Sequence, residues 1–177
     1  QKSTVMSIVT IVGAGMMGTA LCWPLRENGH IVRLVGTPLD ENIIASIRAT
    51  GVHPKLQRPV PIGVEAYPAR LLAQALRGAE LVVSGVSSFG VDWFAQTVGP
   101  LLQPAVPVLC VTKGLVDQEN GDLQILPDYI EAKLPAELHG KIPFNAIGGP
   151  CTVHELAARR QTGVVFCGKD EGLLWYI

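Results

Sequence analysis

The chain has 177 residues, of which 48% are hydrophobic and 16% are charged, and its formal net charge is −1. A chain of this length and hydrophobicity can bury a core and form one domain, so a disordered protein is excluded. The near-neutral charge excludes the basic surface of a general nucleic-acid binder, and no apolar run reaches the roughly 18 residues that a membrane span needs.

Short apolar runs alternate with helix-like stretches along the chain. Continuous apolar runs are typical of strands covered on both faces, and their alternation with helices is typical of a parallel sheet. The sequence therefore predicts an α/β fold with a mostly parallel sheet and helices on both faces. Pro24, inside the first helix, is expected to kink it or mark an irregular turn. The predicted strands are 7–12, 31–35, 62–65, 80–85, 106–112, 145–147 and 162–167, and the predicted helices are 16–28, 38–50, 68–77, 91–102, 126–133 and 153–160.

A glycine-rich turn follows the first predicted strand. It fits the pattern G-x-G-x-x-G and reads Gly13-Ala14-Gly15-Met16-Met17-Gly18. A strand before it and a helix and second strand after it make this pattern indicate a dinucleotide-binding turn. Gly13 permits the tight turn, Gly15 lets the backbone approach a pyrophosphate, and Gly18 lets the helix pack on the strand. The turn predicts a Rossmann-type doubly wound sheet that binds NAD or NADP, the alternative being a strand-to-helix turn without a ligand.

The end of the second predicted strand bears on the choice between NAD and NADP. NAD-selective folds usually place Asp or Glu there, about 20 residues after the glycines, to hold the ribose 2′-OH. Here Thr37 stands near that position, and Asp40 falls inside the next helix, which Thr37 begins as a capping box. Thr37 can donate to a 2′-phosphate, and Arg33 is nearby, either as a second ligand or as a solvent-facing strand residue. The sequence therefore favours NADP and leaves NAD open.

Two further segments lie beyond predicted strands, at the carboxyl ends where parallel sheets bind ligands. Lys113 follows one strand and can meet a phosphate or a polarised carbonyl, the alternative being a solvated loop lysine. The turn 148–152 repeats the strand–turn–helix arrangement, and its N–H groups can bind an anion. Cys151 begins that helix, but no base stands beside it, so we do not expect a nucleophile. His53 lies in a Pro-rich loop with no evident partner, and the Cys and His spacings predict no metal site.

Cysteine usage and the two chain ends bear on location and assembly. The four cysteines are far apart without C-x-x-C spacing, so we expect reduced, mostly buried thiols. Gln1–Ser3 carry no signal-peptide pattern, which predicts a cytoplasmic protein. Leu173, Leu174 and Trp175 form an apolar end that predicts packing against a further domain or another subunit. We therefore expect a longer natural chain and leave a homodimer open.

Four short sequence motifs, called phrases here, are spread through nearly the whole chain and are interpreted as one set. The first, glycine-rich phrase is shared by many dinucleotide enzymes. The T-K-G-L and G-P-x-x-x-x-E-[LV]-A phrases, in this order and separation, are much more specific than it. The phrases are 13–21, 28–34, 112–115, and Gly149-Pro150 with 155–157. Together they resemble the N-terminal half of the bacterial and archaeal NAD(P)-dependent glycerol-3-phosphate dehydrogenases. The resemblance implies hydride transfer between a nicotinamide cofactor and dihydroxyacetone phosphate or sn-glycerol 3-phosphate, which feeds phospholipid synthesis.

The resemblance also implies which residues bind the cofactor. Met16 and Met17 would line the glycine turn, and Thr37 would stand at the adenosine-phosphate position. Val153 would lie against the cofactor. Lys113 would contact both the cofactor and the substrate.

Substrate binding and catalysis are implied for three residues. Lys113 would position the substrate and stabilise negative charge on its oxygen, and Gly149 and Cys151 would contribute to the substrate site. Cys151 departs from the family, which commonly has Ser or Thr there. The family completes its site with a helical domain that supplies a second lysine as the acid/base. We therefore expect residues 1–177 to be an NAD(P)-binding domain that is inactive alone, with the helical domain absent from the chain.

Three other functions stay open at this point. One is a related two-domain dehydrogenase acting on another 2-keto or 2-hydroxy acid. Another is a non-catalytic nucleotide-binding module that senses redox state or mediates assembly, against which Lys113 and the Gly-Pro turn argue, because binding alone needs neither. The third is an α/β domain without a ligand.

Overall fold

A computed structural model describes residues 6–118 and 120–177, and Gln1–Ser3, used above for the expected location, lie outside the described residues. The strands are β1 (Ile8–Val12), β2 (Ile31–Val35), β3 (Val52–His53), β4 (Arg58–Pro59), β5 (Glu65–Tyr67), β6 (Leu81–Ser84), β7 (Val108–Cys110), β8 (Leu115–Asp117), β9 (Leu123–Ile125), β10 (Phe144–Gly148) and β11 (Val165–Cys167). The α-helices are α1 (Met16–Ala20), α2 (Cys22–Glu27), α3 (Glu41–Thr50), α4 (Leu72–Leu76), α5 (Val91–Trp93), α6 (Leu126–Ala132), α7 (Val153–Ala157) and α8 (Glu171–Tyr176).

Seven strands form one sheet in the order β11-β10-β7-β6-β1-β2-β5. Neighbouring strands run parallel except for the antiparallel edge pair β10 and β11. The chain starts at β1, winds outward through β2 to β5, and then returns to β6 and winds the other way. This order places a topological switch point between β1 and β6, where ligands bind in doubly wound sheets. The predicted Rossmann-type sheet is confirmed.

Two hydrophobic cores cover the two faces of this sheet. On β6, Val82 belongs to one core, whereas Leu81 and Val83 belong to the other. The first core also takes residues from α4 and α6, and the second takes them from α2 and α3. Because alternate residues of a strand point to opposite faces, each central strand serves both helical layers. This explains why the strands are continuous apolar runs in the sequence.

The predicted first helix is divided into α1 and α2 at Leu21. Pro24 in α2 has no N–H to donate to the carbonyl of Ala20, so a regular hydrogen-bond ladder cannot continue through this point. The irregularity expected at Pro24 is therefore confirmed.

Some elements differ from their predicted form. The strand expected at 62–65 lies instead at Glu65–Tyr67, where it pairs with β2 in the register Arg33 opposite Glu65. The helix expected at 91–102 contains a π-helical segment, Phe94–Val98. Two short hairpins, β3–β4 and β8–β9, were not predicted. Strands of two or three residues carry no readable periodicity, and the register of β5 is set by its neighbour rather than by its own residues.

The cysteines are free thiols, of which Cys22, Cys110 and Cys151 are buried and Cys167 is exposed. Burial raises the pKa of the Cys22 and Cys110 thiols to about 12. These two residues therefore stay protonated near neutral pH and act as packing groups. Within residues 6–118 and 120–177, no helix is long and apolar enough to span a lipid bilayer.

Candidate functional site

The glycine turn, residues 13–18, connects β1 to α1 at the switch point of the sheet. Gly13 has φ +114°, and its N–H donates to the carbonyl of Val35 at 2.8 Å. A Cβ on Gly13 would lie 2.6 Å from the backbone of Gly85, and a Cβ on Gly18 would overlap the carbonyl oxygen of Gly13. Close backbone packing therefore requires glycine at positions 13 and 18.

Gly15 differs from these two glycines because no packing within the described chain requires it. A Cβ built on Gly15 meets no atom within 4 Å, and its backbone is extended, with φ −63° and ψ 177°. Gly15 is the N-cap of α1, whose first amides have no acceptor within the helix. The missing side chain leaves the backbone open at the place where a pyrophosphate packs against such a turn. The residues present thus fit a dinucleotide.

Ala14, between the first two glycines, is held at both its N–H and its carbonyl by side chains from elsewhere. Its N–H donates to Asp40 Oδ2 at 3.1 Å. Its carbonyl oxygen accepts from Thr19 Oγ1 at 3.2 Å and lies 3.0 Å from His53 Nε2. His53 is fully buried, so the expectation that it has no partner was wrong. Sequence reasoning missed both distant partners, because no local pattern connects them to Ala14.

The capping box predicted at Thr37 is present and brings an acid to the end of β2. Asp40 Oδ2 accepts from the Thr37 N–H at 2.9 Å and from Thr37 Oγ1 at 2.8 Å, and Leu39 N donates to Thr37 Oγ1 at 3.3 Å. Asp40 lies in the first turn of the next helix, as predicted, and its carboxylate folds back to the end of β2. The absence of an acid therefore no longer argues for NADP.

Arg33 lies away from the glycine turn. Its Nη1 donates to the carbonyls of Ala75 at 3.1 Å and Arg77 at 2.6 Å, and its Nε lies 3.5 Å from Glu65 Oε2. Only 17% of the side chain is exposed. Both alternatives considered for Arg33, a phosphate ligand and a solvent-facing residue, were wrong. It ties the end of α4 to β2 and β5.

Lys113 and the turn 148–153, together called the lysine edge, meet beyond the ends of β7 and β10. Lys113 is exposed, and its Nζ donates to the carbonyl of Gly149. Gly149 has φ +104°, and a Cβ there would lie 3.0 Å from the carbonyl oxygen of Gly163. Thr112 Oγ1 donates to the carbonyl of Val86 and so joins this edge to the loop after β6. Neighbouring strands thus bring together two segments that lie far apart in the sequence.

A cavity of about 340 Å³ opens beside the lysine edge on the face of the second core. Met17, Lys113, Gly148 and Cys151 line it, together with apolar side chains of β6 and β7. Met17, Lys113 and Cys151, which the sequence singled out, meet at this cavity. Met16, which is 40% exposed, and Thr37, at the end of β2, do not line it. An apolar pocket with one ammonium group suits a flat ring that carries a polar substituent.

The start of α7 is a second capping box. Thr152 N and Oγ1 donate to Glu155 Oε2 at 2.9 and 2.8 Å, and these hydrogen bonds hold the pKa of the Glu155 carboxyl below its usual value. Val153, the first residue of α7, is half-buried, and Cys151 is buried with its Sγ 3.8 Å from the carbonyl of Thr152. Glu155 of the E-L-A phrase therefore orders the turn that presents Cys151. No trio of His, Cys, Asp or Glu side chains in the described ranges is placed to hold a metal ion.

One family model matches residues 8–173, and it describes the N-terminus of NAD-dependent glycerol-3-phosphate dehydrogenases. The chain belongs to this family. The match spans the glycine turn, the lysine edge and all strands of the main sheet. The family resemblance read from the four sequence phrases is confirmed.

Related glycerol-3-phosphate dehydrogenases cover most of this chain. The NADP(+)-dependent enzyme of Archaeoglobus fulgidus is 39% identical over 93% of the chain, and the NAD(P)+ enzyme of Myxococcus xanthus is 32% identical over 88%. The crystal structure of the Coxiella burnetii enzyme matches with a TM-score of 0.82 and 25% identity, covering 97% of this chain and 49% of that one. The chain spans about half the length of the curated relatives it matches, 47% for A. fulgidus and 44% for M. xanthus.

Proposed function

We propose that this chain is the nucleotide-binding part of an NAD(P)-dependent glycerol-3-phosphate dehydrogenase. In this reaction, hydride passes between the nicotinamide cofactor and dihydroxyacetone phosphate or sn-glycerol 3-phosphate. The observation that carries the proposal is the placement of the glycine turn and the contact of Lys113 with Gly149 at the same edge of the sheet. The names of the relatives support this choice of substrate.

The glycine turn would hold the cofactor pyrophosphate with the backbone that Gly15 leaves open. When bound, the cofactor donates or accepts the hydride. We propose NADP as the preferred nucleotide, supported by the NADP(+)-dependent relative of A. fulgidus, while the description of the family names NAD. The proposed cofactor-binding residues are Gly13, Gly15, Met16, Met17, Gly18, Thr37, Lys113 and Val153.

Lys113 is the proposed catalytic residue in this chain. Its ammonium is exposed beside the cavity and holds the Gly149 carbonyl, so it can exchange that acceptor for an oxygen of the substrate. A cation there stabilises the negative charge that develops on the substrate oxygen during reduction. Gly149 and Cys151 are proposed to bind the substrate, although a thiol donates a weaker hydrogen bond than a hydroxyl.

The acid/base group and the rest of the phosphate site are assigned to the half of the relatives' length that this chain does not span. We propose that residues 1–177 form the NAD(P)-binding domain, that the protein is cytoplasmic and homodimeric, and that its product feeds phospholipid synthesis.

Titration of the chain with NADPH and with NADH, followed by calorimetry, tests the nucleotide assignment. We expect both to bind, NADPH more tightly. In Gly15→Ala the new methyl group enters the space left for the pyrophosphate, so affinity should fall about 10-fold or more without a change in melting temperature. Gly163→Ala, where a Cβ also meets no atom within 4 Å, is the matched control. A folded chain that binds neither nucleotide would overturn this assignment.

A further inference from the structure

We propose that Asp40 and His53 are positioning residues that hold the backbone of Ala14, Asp40 at its N–H and His53 at its carbonyl oxygen. They fix the glycine turn in the conformation that receives the pyrophosphate. With Thr19 they form the Ala14 clamp. The nature of the ligand rests on the proposed function, whereas the clamp itself rests on hydrogen bonds within the chain.

The Asp40 arm joins two segments through one carboxylate oxygen. Oδ2 accepts from the N–H and hydroxyl of Thr37, as a capping box requires, and from the N–H of Ala14 at 3.1 Å in addition. The bond to Ala14 serves no purpose in capping the helix. It connects the end of β2 to the glycine turn by a charge-assisted hydrogen bond, which is stronger than a neutral one.

The His53 arm is defined by the partners of both ring nitrogens. Nδ1 accepts from the N–H groups of Lys55 at 3.2 Å and Leu56 at 3.1 Å. A nitrogen that accepts carries no hydrogen, so the hydrogen of the neutral ring is assigned to Nε2, which donates to the Ala14 carbonyl at 3.0 Å. The fully buried ring is therefore satisfied on both sides and can take one orientation only.

Helix α3 connects the two arms of the clamp. Asp40 immediately precedes α3, and His53 follows it by three residues. Ile43, Ile44 and Ile47 bury the helix in the second core. Because α3 is packed against the sheet, the two side chains are carried on one rigid support rather than on independent loops.

Holding the Ala14 carbonyl also sets the direction of the next amide. The carbonyl of Ala14 and the N–H of Gly15 belong to one trans peptide plane and point in opposite directions. A fixed carbonyl therefore fixes the Gly15 N–H, at the residue whose missing side chain leaves the backbone open to a ligand. Without His53, the Ala14 carbonyl would keep only the hydrogen bond from Thr19 Oγ1, so the Gly15 N–H would be less firmly ordered before a nucleotide binds.

Two substitutions at His53 separate its two hydrogen-bonding roles. In His53→Gln, the terminal amide reaches as far as Nε2 and can still donate to Ala14. In His53→Asn, the shorter amide oxygen replaces Nδ1 as the acceptor for Lys55 and Leu56 but does not reach Ala14. We expect His53→Asn to weaken NADH and NADPH binding equally, by about 10-fold. His53→Gln should recover most of that affinity, although both variants melt at lower temperature.

His139→Asn is the matched control for this comparison. His139 Nε2 lies 2.9 Å from the carbonyl of Leu134, so a ring nitrogen meets a backbone carbonyl here too, on an exposed residue remote from the glycine turn. This variant should leave nucleotide affinity as it is. If His53→Gln binds nucleotide as poorly as His53→Asn, or His139→Asn binds as poorly, the positioning role is overturned.

Asp40 variants distinguish positioning from recognition of the ribose. Asp40→Ala should weaken both nucleotides by a similar factor, about 10-fold, because the turn binds the pyrophosphate that they share, and Asp40→Asn should recover part of the loss. If Asp40 only positions the turn, its removal leaves the ratio of the dissociation constants for NADH and NADPH unchanged. A gain for NADPH alone would make Asp40 a ribose ligand and overturn the inference.

Amide hydrogen exchange in the nucleotide-free chain tests the clamp independently of its ligand. Exchange across residues 13–18 should accelerate in His53→Asn and Asp40→Ala. Thr19→Val, which keeps the volume of a fully buried residue, gives a milder variant if these two fail to fold. Unchanged exchange in the folded variants overturns the clamp. Accelerated exchange in a chain that binds neither nucleotide keeps the clamp and overturns the proposed function.

Discussion

The glycine turn and the lysine edge lie at the same edge of the sheet but are held in different ways. The turn is made of backbone packed against backbone, and side chains from α1, β3 and the start of α3 bind the N–H and the carbonyl of Ala14. At the lysine edge, the exposed side chain of Lys113 donates a hydrogen bond to the Gly149 carbonyl. The difference suits a closely packed surface that binds a pyrophosphate and an exposed cation that stabilises charge on a substrate.

A capping box of the form T-x-x-acid contacts the glycine turn, and another lies at the lysine edge. Asp40 uses its carboxylate oxygen to reach the Ala14 N–H, in the glycine turn. Glu155 uses its oxygen within its own segment, with Thr162 Oγ1 as a further donor at 3.4 Å. One motif therefore joins two elements in the first case and orders a local turn in the second.

The largest expected effect tests the packing of the glycine turn. Gly18→Ala places a methyl group on the carbonyl oxygen of Gly13, so we expect the free energy of unfolding to fall by about 4 kcal/mol or more. Gly15→Ala, with open space around its Cβ, is the matched control and should melt like the parent chain. Thermal unfolding followed by circular dichroism measures both. Equal stability of the two variants would show that the turn is not closely packed.

The next largest expected effect is a difference in thiol reactivity between cysteines beside the two regions. Cys22 lies under the turn, with Sγ 3.9 Å from the Gly18 carbonyl, and burial raises its pKa from 9.0 to about 12. Its thiolate fraction near neutral pH is therefore about 1000-fold lower than that of an ordinary thiol. A disulfide reagent should modify the exposed Cys167 first, Cys151 slowly through the cavity, and Cys22 only on unfolding. Early modification of Cys22, mapped by mass spectrometry, would contradict a closed turn.

Removing the ammonium group of Lys113 tests the proposed catalytic role of the lysine edge. In the full-length enzyme, Lys113→Ala should lower kcat/KM for dihydroxyacetone phosphate at least ~100-fold, since a positioned charge on the reacting oxygen is lost. Its melting temperature should match the parent protein, because the lysine side chain is exposed. Lys169→Ala removes another exposed lysine and is the control. Full activity in Lys113→Ala would remove Lys113 from the mechanism.

The smallest expected effect is the pH dependence of the stability that the capping box of Thr152 and Glu155 contributes. The hydrogen bonds from Thr152 lower the pKa of Glu155 below its ordinary value of 4.5, so the ionised form is favoured in the folded chain. This stabilisation is present above pH 4.5 and is lost as the pH falls through the lower folded pKa. The melting temperature of the parent should exceed that of Glu155→Gln near pH 7, with the gap closing in acid. A gap that is independent of pH would contradict this role.

Local interactions account for what the sequence by itself determined. The bounds of β2 agree with the prediction, as do the glycine turn and the capping box at Thr37. Each depends on periodicity, on backbone freedom or on a side chain that bonds to a residue three positions away. The family phrases belong to the same class of local pattern, so nucleotide binding could be predicted before the fold was known.

Tertiary structure alone decided which distant groups meet. Asp40 and His53 reach Ala14 over 26 and 39 positions, Arg33 reaches the end of α4 over more than 40, and Lys113 reaches Gly149 over 36. Each of these polar groups has several possible partners in an unfolded chain. The order of strands in the sheet and the packing of α3 select one, because they bring the groups together at a fixed distance and exclude water from most of them.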